Sequence, residues 1–228
     1  MADPLSIAVS SLALGLSSVT AWLTLFRRGT IKMTQPTVIF FGLDVPWAGE
    51  QIPPPKVYLR TLLFSTSKRG RVIECMYVAL SRNETRQNFN VWVYGDEKLV
   101  RGSGLFVGET GVVANHHFLT PRDENAFRFT EGRYTLEVFA RLLGDSTHTR
   151  LFSQTLEISK ETAAALARGT PSKEDANRSL AGLYFDWGPD SSRYLSYVQE
   201  RPPTAAPDKF LEAALRLRIP QPSSDNKE

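Results

Sequence analysis

The sequence predicts a mainly β protein: an antiparallel two-sheet sandwich behind an N-terminal transmembrane helix, with short helices toward the C-terminus. Three observations carry this. Leu5 to Phe26 contains no charged residue. From Thr37 to Ser159, apolar residues recur at every second position in short runs broken by Gly, Pro and Asn, the period of strands. After Ser159 the period lengthens again toward that of a helix. There is no βαβ alternation and no internal repeat, which argues against a nucleotide-binding α/β fold.

As a helix, Leu5 to Phe26 would be roughly 33 Å long, close to the ~30 Å hydrocarbon core of a bilayer. Met1-Ala2-Asp3-Pro4 carries an acid and no Lys or Arg, so it lacks the basic opening of a secretory signal, and no A-x-A pattern follows the apolar run. Trp22 and Phe26 fit an interfacial aromatic belt, and Arg27, Arg28 and Lys32 fit the headgroups of the cytoplasmic side. This asymmetry puts the N-terminus outside and the rest of the chain in the cytoplasm, on a single-pass inner-membrane anchor. A buried core helix is the alternative, but it would show a charged face, and this run has none. Seven Ser and Thr residues within the run weaken its insertion relative to a Leu-rich segment.

Six small residues, Ser6, Ser10, Ala13, Ser17, Thr20 and Thr24, follow a four-three-four-three-four spacing and form one seam of that helix. Beside it lies an apolar face of Leu5, Val9, Leu12, Leu16, Val19 and Leu23. Small residues allow close backbone approach in lipid, and hydroxyls bond across helices, so the seam is expected to pack on another transmembrane helix, its own copy or a partner's. The competing reading is that Ser and Thr bond back to their own helix. A second small row, Ala8, Ser11, Gly15 and Ser18, lies on nearly the opposite side.

The strands follow in order. Val38 to Asp44 is a short buried strand. Pro46 and Pro53-Pro54-Pro55 then forbid a continuing helix or central strand. Lys56 to Ser65 and Arg71 to Ser81 are strands, and Ser67 to Gly70 between them predicts a hairpin turn. Asn88 to Gly95 alternates, with Phe89, Val91 and Val93 on one face and Asn88, Asn90, Trp92 and Tyr94 on the other. Gly102 to Gly108 predicts a bulged hairpin. Val112 to Leu119, Ala126 to Thr130, Arg133 to Leu143 and Thr149 to Ser159 complete seven to nine strands, the pattern of a two-sheet sandwich.

Glu131 to Leu142 carries Gly132 and Tyr134 at the entry of a long strand. This resembles the penultimate strand of immunoglobulin-like domains, where Gly-x-Tyr leads in and the tyrosine forms a corner hydrogen bond. Leu136 stands where antibody-type domains place a cysteine, so the resemblance is to disulfide-free Ig-like sandwiches. It covers Thr37 to Ser159 in pattern and about a dozen residues in motif, and it implies a fold rather than an activity.

Beyond the sandwich, Ser159 caps a helix, Lys160 to Arg168, which stops at Gly169. Thr170 to Ser179 is a polar loop, and Gly182 to Asp190 is apolar enough to pack back on the sandwich. The tail from Arg201 is Pro-rich and polar. Pro207 to Ile219 interrupts it as an amphipathic helix whose stripe of Phe210, Leu211, Ala214, Leu215 and Leu217 suits a partner groove or the protein's own sandwich. The organisation expected is 1–36 anchor and linker, 37–159 Ig-like sandwich, 160–200 helix and extension, 201–228 tail.

Little chemistry is legible. The net charge of +3 does not suggest a nucleic-acid partner. Adjacent His116 and His117 on one strand point to opposite faces, and His148 lies in a turn, so no metal site is expected. The single cysteine, Cys75, sits in an apolar alternating run and reads as a small core residue in a reducing compartment. No nucleophile elbow, Walker loop or dinucleotide fingerprint appears, and no cofactor is expected. Asp186, Asp190 and Glu74 have no partner readable from sequence. Lys68, Arg69 and Arg71 are expected beside Arg27, Arg28 and Lys32 as a basic collar on anionic lipid, or as a solvated hairpin tip. The function expected is a non-catalytic, membrane-anchored interaction, scaffold or accessory protein with a cytoplasmic Ig-like domain. Two other readings stay open: an extracytoplasmic binding domain on a signal anchor, and an enzyme whose site converges from distant loops near Asp186 or His117.

Overall fold

The computed structural model describes residues 3–26, 28–44, 53–95, 100–121, 127–168, 180–188 and 193–201. The apolar N-terminal run is helix α1 (Pro4–Ala21), followed by a π-helical turn (Trp22–Phe26). Strands then follow as β1 (Ile31–Met33), β2 (Val38–Leu43), β3 (Pro55–Ser65), β4 (Arg71–Arg82), β5 (Thr85–Phe89) and β6 (Val91–Tyr94). Next come β7 (Val100–Arg101), β8 (Leu105–Val107), β9 (Val112–Leu119), β10 (Gly132–Leu142) and β11 (Thr149–Ile158), then helix α2 (Lys160–Arg168), β12 (Leu180–Trp187) and β13 (Tyr194–Arg201).

Among the described residues the strands form two antiparallel sheets. One has eight strands in the order β13-β12-β2-β3-β9-β6-β7, with β1 also on β3. The other has five, in the order β11-β10-β4-β5, with β8 also on β4. Period-two alternation places one face of each sheet inward. Ile39, Phe41, Val57, Leu59 and Phe118 of the larger sheet share one buried cluster with Val78, Leu80, Leu136, Val138 and Leu156 of the smaller. The fold is therefore mainly β and sandwich-like, as expected; ten of the described strands, β2 to β11, lie within residues 37–159, where seven to nine were expected, and β1, β12 and β13 lie outside that span.

Several local expectations are corrected. Ser67 to Gly70 does not close a hairpin. Both edges of β3 are taken, by β2 and β1 on one side and β9 on the other, while β4 lies between β10 and the pair β5 and β8. Neither strand has a free edge for the other, so the turn carries the chain from one sheet to the next. Gly70 takes φ +65 there, a conformation natural to glycine. Asn88 to Gly95 is not one strand either. β5 ends at Phe89 in the smaller sheet and β6 begins at Val91 in the larger, so the alternation resets at Asn90 and Trp92 is the buried residue of β6. Gly102 to Gly108 likewise crosses from β7 in one sheet to β8 in the other and is no hairpin. A side chain at Gly102 would collide with the Trp92 ring.

Phe127 to Thr130 is not a strand; it lays Phe129 into the core, stacked on Phe41, and leads to Tyr134. The Tyr134 hydroxyl donates to the Thr130 carbonyl at 2.9 Å and accepts from the Thr130 amide at 3.0 Å. Ser159 caps α2 as expected, its hydroxyl accepting from the Thr162 amide at 3.2 Å. The stretch from Gly182 becomes part of a sheet, because β12 pairs with β2 from Leu183↔Phe41 to Asp186↔Val38. β13 then pairs along β12, an edge strand the sequence reading did not anticipate. Tyr194 ties that edge to the start of the sandwich: its hydroxyl donates to the Pro36 carbonyl at 2.8 Å and accepts from Gln35 at 2.8 Å.

Candidate membrane interface

α1 begins at a capped N-terminus. The Asp3 side chain accepts from the Leu5 amide at 3.1 Å, and Pro4 stands in the first turn, where its missing N–H costs nothing. Pro4–Thr24 is a helix long and apolar enough to cross a membrane, and none of it is buried against the sandwich. In the described structure α1 is therefore not part of the sandwich core. Trp22 and Phe26 are exposed and stacked on each other, ring centroids 5.9 Å apart.

The small-residue seam divides in two. Thr20 donates to the Leu16 carbonyl and Thr24 to the Thr20 carbonyl, each at 2.8 Å. Ser18, on the opposite row, does the same to Leu14. These hydroxyl protons bond to their own helix, so across an interface Thr20 and Thr24 offer lone pairs and small size rather than donors. Ser6, Ser10, Ala13 and Ser17 are exposed along the remainder of the seam.

Arg27 lies outside the described residues, as does the expected partner helix with Phe210, Leu211, Ala214, Leu215 and Leu217. Arg28 is exposed, and Gly29 then passes so close to Ser67 that a Cβ would sit 2.5 Å from its hydroxyl. Thr30 and Thr66 join the linker to the β3–β4 turn: the Thr30 amide donates to Thr66 Oγ1 at 2.9 Å, and the Thr66 amide donates to the Thr30 carbonyl at 2.9 Å. The basic turn thus lies beside the helix exit. Its three basic residues differ in role. Arg71 donates to Asp145 at 2.9 Å and to the Gly29 carbonyl at 3.2 Å, with its side chain largely covered. It fastens the linker to the sandwich. Lys68 and Arg69 are exposed on the turn, and Lys32 is exposed on β1.

The histidines sit on opposite faces of β9. His116 is buried, and its Nδ1 accepts the Trp92 indole N–H at 3.1 Å. That fixes the neutral tautomer with the proton on Nε2, which has no hydrogen-bond partner among the described residues. Burial lowers the His116 pKa to about 4. His117 faces outward against the Tyr58 ring, 4.9 Å between centroids. Cys75 is not a core residue. The β4–β10 register shifts between Arg141 and Leu142, so Ile73 and Met76 both face inward and Cys75 faces out. There its sulfur lies 3.5 Å from His148 Nε2. Glu74 has a partner too, Arg141, at 3.1 and 3.2 Å. Sequence reasoning missed both contacts because each joins residues of the β3–β4 side to the distant β10–β11 hairpin. Among the described residues no three His, Cys, Asp or Glu side chains group as metal ligands.

An open cleft of about 330 Å³ lies on the smaller sheet, where Arg82, Arg86 and Arg128 surround Phe127 and Tyr134. Arg82 is committed to Thr130 Oγ1 and the Glu131 carbonyl. Comparison with known protein families, curated proteins and solved structures finds no match to this chain.

Proposed function

We propose that the chain is a single-pass membrane protein whose Ig-like sandwich is held at the cytoplasmic face of the inner membrane and serves as an interaction, scaffold or accessory module. The observation that carries the reading is the exposed apolar helix feeding, within four residues of Phe26, into hydrogen bonds with the sandwich turn at Thr66. In water such a helix would leave large apolar side chains hydrated on every side, so a bilayer is its natural solvent. The stacked Trp22 and Phe26 and the basic residues after them support the N-outside orientation. The Tyr134–Thr130 bonds, with Gly132 before them at φ +135, support the Ig-like reading. The seam from Ser6 through Ser17 to Thr24 is where a second transmembrane helix would pack, by close approach of small residues more than by donated hydroxyl bonds.

A C-terminal fusion to a reporter active only in the cytoplasm, paired with one active only outside it, tests the orientation on the intact protein. Cytoplasmic activity together with resistance to carbonate extraction is the expected outcome. Activity of the external reporter alone would replace this reading by an extracytoplasmic binding domain on the same anchor.

A further inference from the structure

The end of the sandwich next to the helix exit carries more than charge. Four segments meet there: the linker at Gly29, the β3–β4 turn, β8 with its following turn, and the β10–β11 turn. Arg71 bonds to Gly29 and Asp145. Val72 pairs with Phe106 of β8, and its carbonyl accepts from the Leu143 amide at 2.9 Å. The Ser65 amide donates to the Gly108 carbonyl, closing the same end. Phe106 and Leu143 at this end are 60% and 62% exposed. The Phe106 ring lies over Gly70, where a Cβ would collide with it, so it sits against the basic turn without being covered.

We propose that Phe106 and Leu143 form an apolar foot that enters the headgroup layer of the bilayer α1 crosses, with Lys68 and Arg69 on anionic headgroups beside it. The proposal rests on the membrane reading above. Geometry supports this occupant. The four residues from Phe26 to Thr30 reach at most about 14 Å, so the sandwich end cannot stand far from the interface. Amphipathic surfaces of this kind bury their apolar side chains ~5–10 Å into the headgroup and acyl boundary. Charge supports it too. Among the described residues Arg28, Lys32 and Lys68 are exposed bases near this end, and Asp145 is paired with Arg71. Such an end attracts anionic lipid and repels the same end of a second copy. The foot fixes the tilt of the sandwich, and so decides which of its surfaces a cytoplasmic partner meets.

The test uses the full chain carrying Cys75→Ser, with a single cysteine at Phe106→Cys, Leu143→Cys or, as a control, Glu157→Cys, labelled with bimane. Glu157 lies eight residues along β11 from Thr149, about 27 Å from this end. Each protein is reconstituted in vesicles of phosphatidylcholine and phosphatidylglycerol, with and without nitroxide-labelled lipid. Positions 106 and 143 are expected to emit toward the blue and to be quenched by the nitroxide, and position 157 to do neither. Lys68→Ala with Arg69→Ala should weaken the quenching at 143. Carbonate extraction of the same vesicles reads the anchor separately. Protein that resists extraction but leaves 106 and 143 behaving like 157 overturns the foot and spares the anchor. A blue shift without lipid quenching overturns it in favour of a contact between copies. Release by carbonate overturns the anchor and the foot together.

Discussion

Leu12 of α1 is 72% exposed, while Leu59 of β3 is fully buried. The two leucines show how differently one chain treats apolar residues. In the sandwich the inward-facing apolar residues recur at every second position and meet those of the facing sheet. In α1 apolar residues occur all round, and none finds a partner within the described protein. The first pattern specifies a core. The second specifies a solvent, because a helix apolar on all sides has no inside to turn toward.

The sharpest way to break this comparison is to shorten both leucines. Leu59→Ala removes packed methyls from between two sheets and should cost roughly 2–5 kcal/mol of unfolding free energy. Leu12→Ala opens no cavity and should change the unfolding of the sandwich by less than ~0.5 kcal/mol. Urea titration of the full chain in mild detergent, followed by tryptophan emission, reads both. Equal losses would mean that α1 packs on the sandwich after all.

A second contrast lies within one strand. His116 is folded in neutral with Trp92, whereas His117 is half-exposed against Tyr58. The His116 pKa falls from 6.5 to about 4 on folding, so the unfolded chain binds its proton first as the pH drops. Its contribution to stability is complete above pH 6.5 and is lost as the pH falls toward about 4. At ~1.4 kcal/mol per unit, the full loss is roughly 3 kcal/mol. The rings around it, Trp92, Tyr94 and Phe118, carry no charge to offset this. Stability measured between pH 7 and pH 4 should therefore fall less steeply in His116→Gln than in the parent chain. A parent chain with a flat profile over that range would remove the buried neutral histidine from the account.

What could be read in advance follows from how local each feature is. The alternation of Arg133 to Leu143 and of Val112 to Leu119 marked β10 and β9 closely, and the opposite faces of His116 and His117 follow from period two alone. Pairing was not local. Ser67 to Gly70 looks like a hairpin in letters, yet β3 and β4 had already filled their edges with strands distant in sequence. The alternation from Phe89 through Asn90 to Val91 continues unbroken on paper and hides a change of sheet. β1 is three residues long, too short to show a period. β13 is an edge strand on which Tyr194 and Val198 are half-covered while Leu195 and Tyr197 are exposed, so its apolar residues follow no single face. The long apolar N-terminal helix was legible, because length and the lack of charge alone mark it. The role of Arg71 was not, since only the folded chain sets it against Asp145 and Gly29.

The smallest effect compares hydroxyls. Tyr134 and Thr24 each donate to a backbone carbonyl four residues back, at 2.9 and 2.8 Å. The tyrosine bond closes a chain reversal in which its oxygen also satisfies the Thr130 amide, which no helix or ladder serves. Removing that oxygen in Tyr134→Phe leaves a donor and an acceptor to find water beside the Phe129 ring, and should cost about 1–2 kcal/mol. The Thr24 bond adds a second donor to a carbonyl that belongs to a helix, a bond that slightly strains the helix instead of holding it. Thr24→Val keeps the shape and should leave stability unchanged within ~0.5 kcal/mol. The same urea titration separates them. A Thr24→Val loss as large as that of Tyr134→Phe would show that the seam hydroxyl already bonds a second helix in detergent, making α1 resemble the sandwich in the one respect where they now differ.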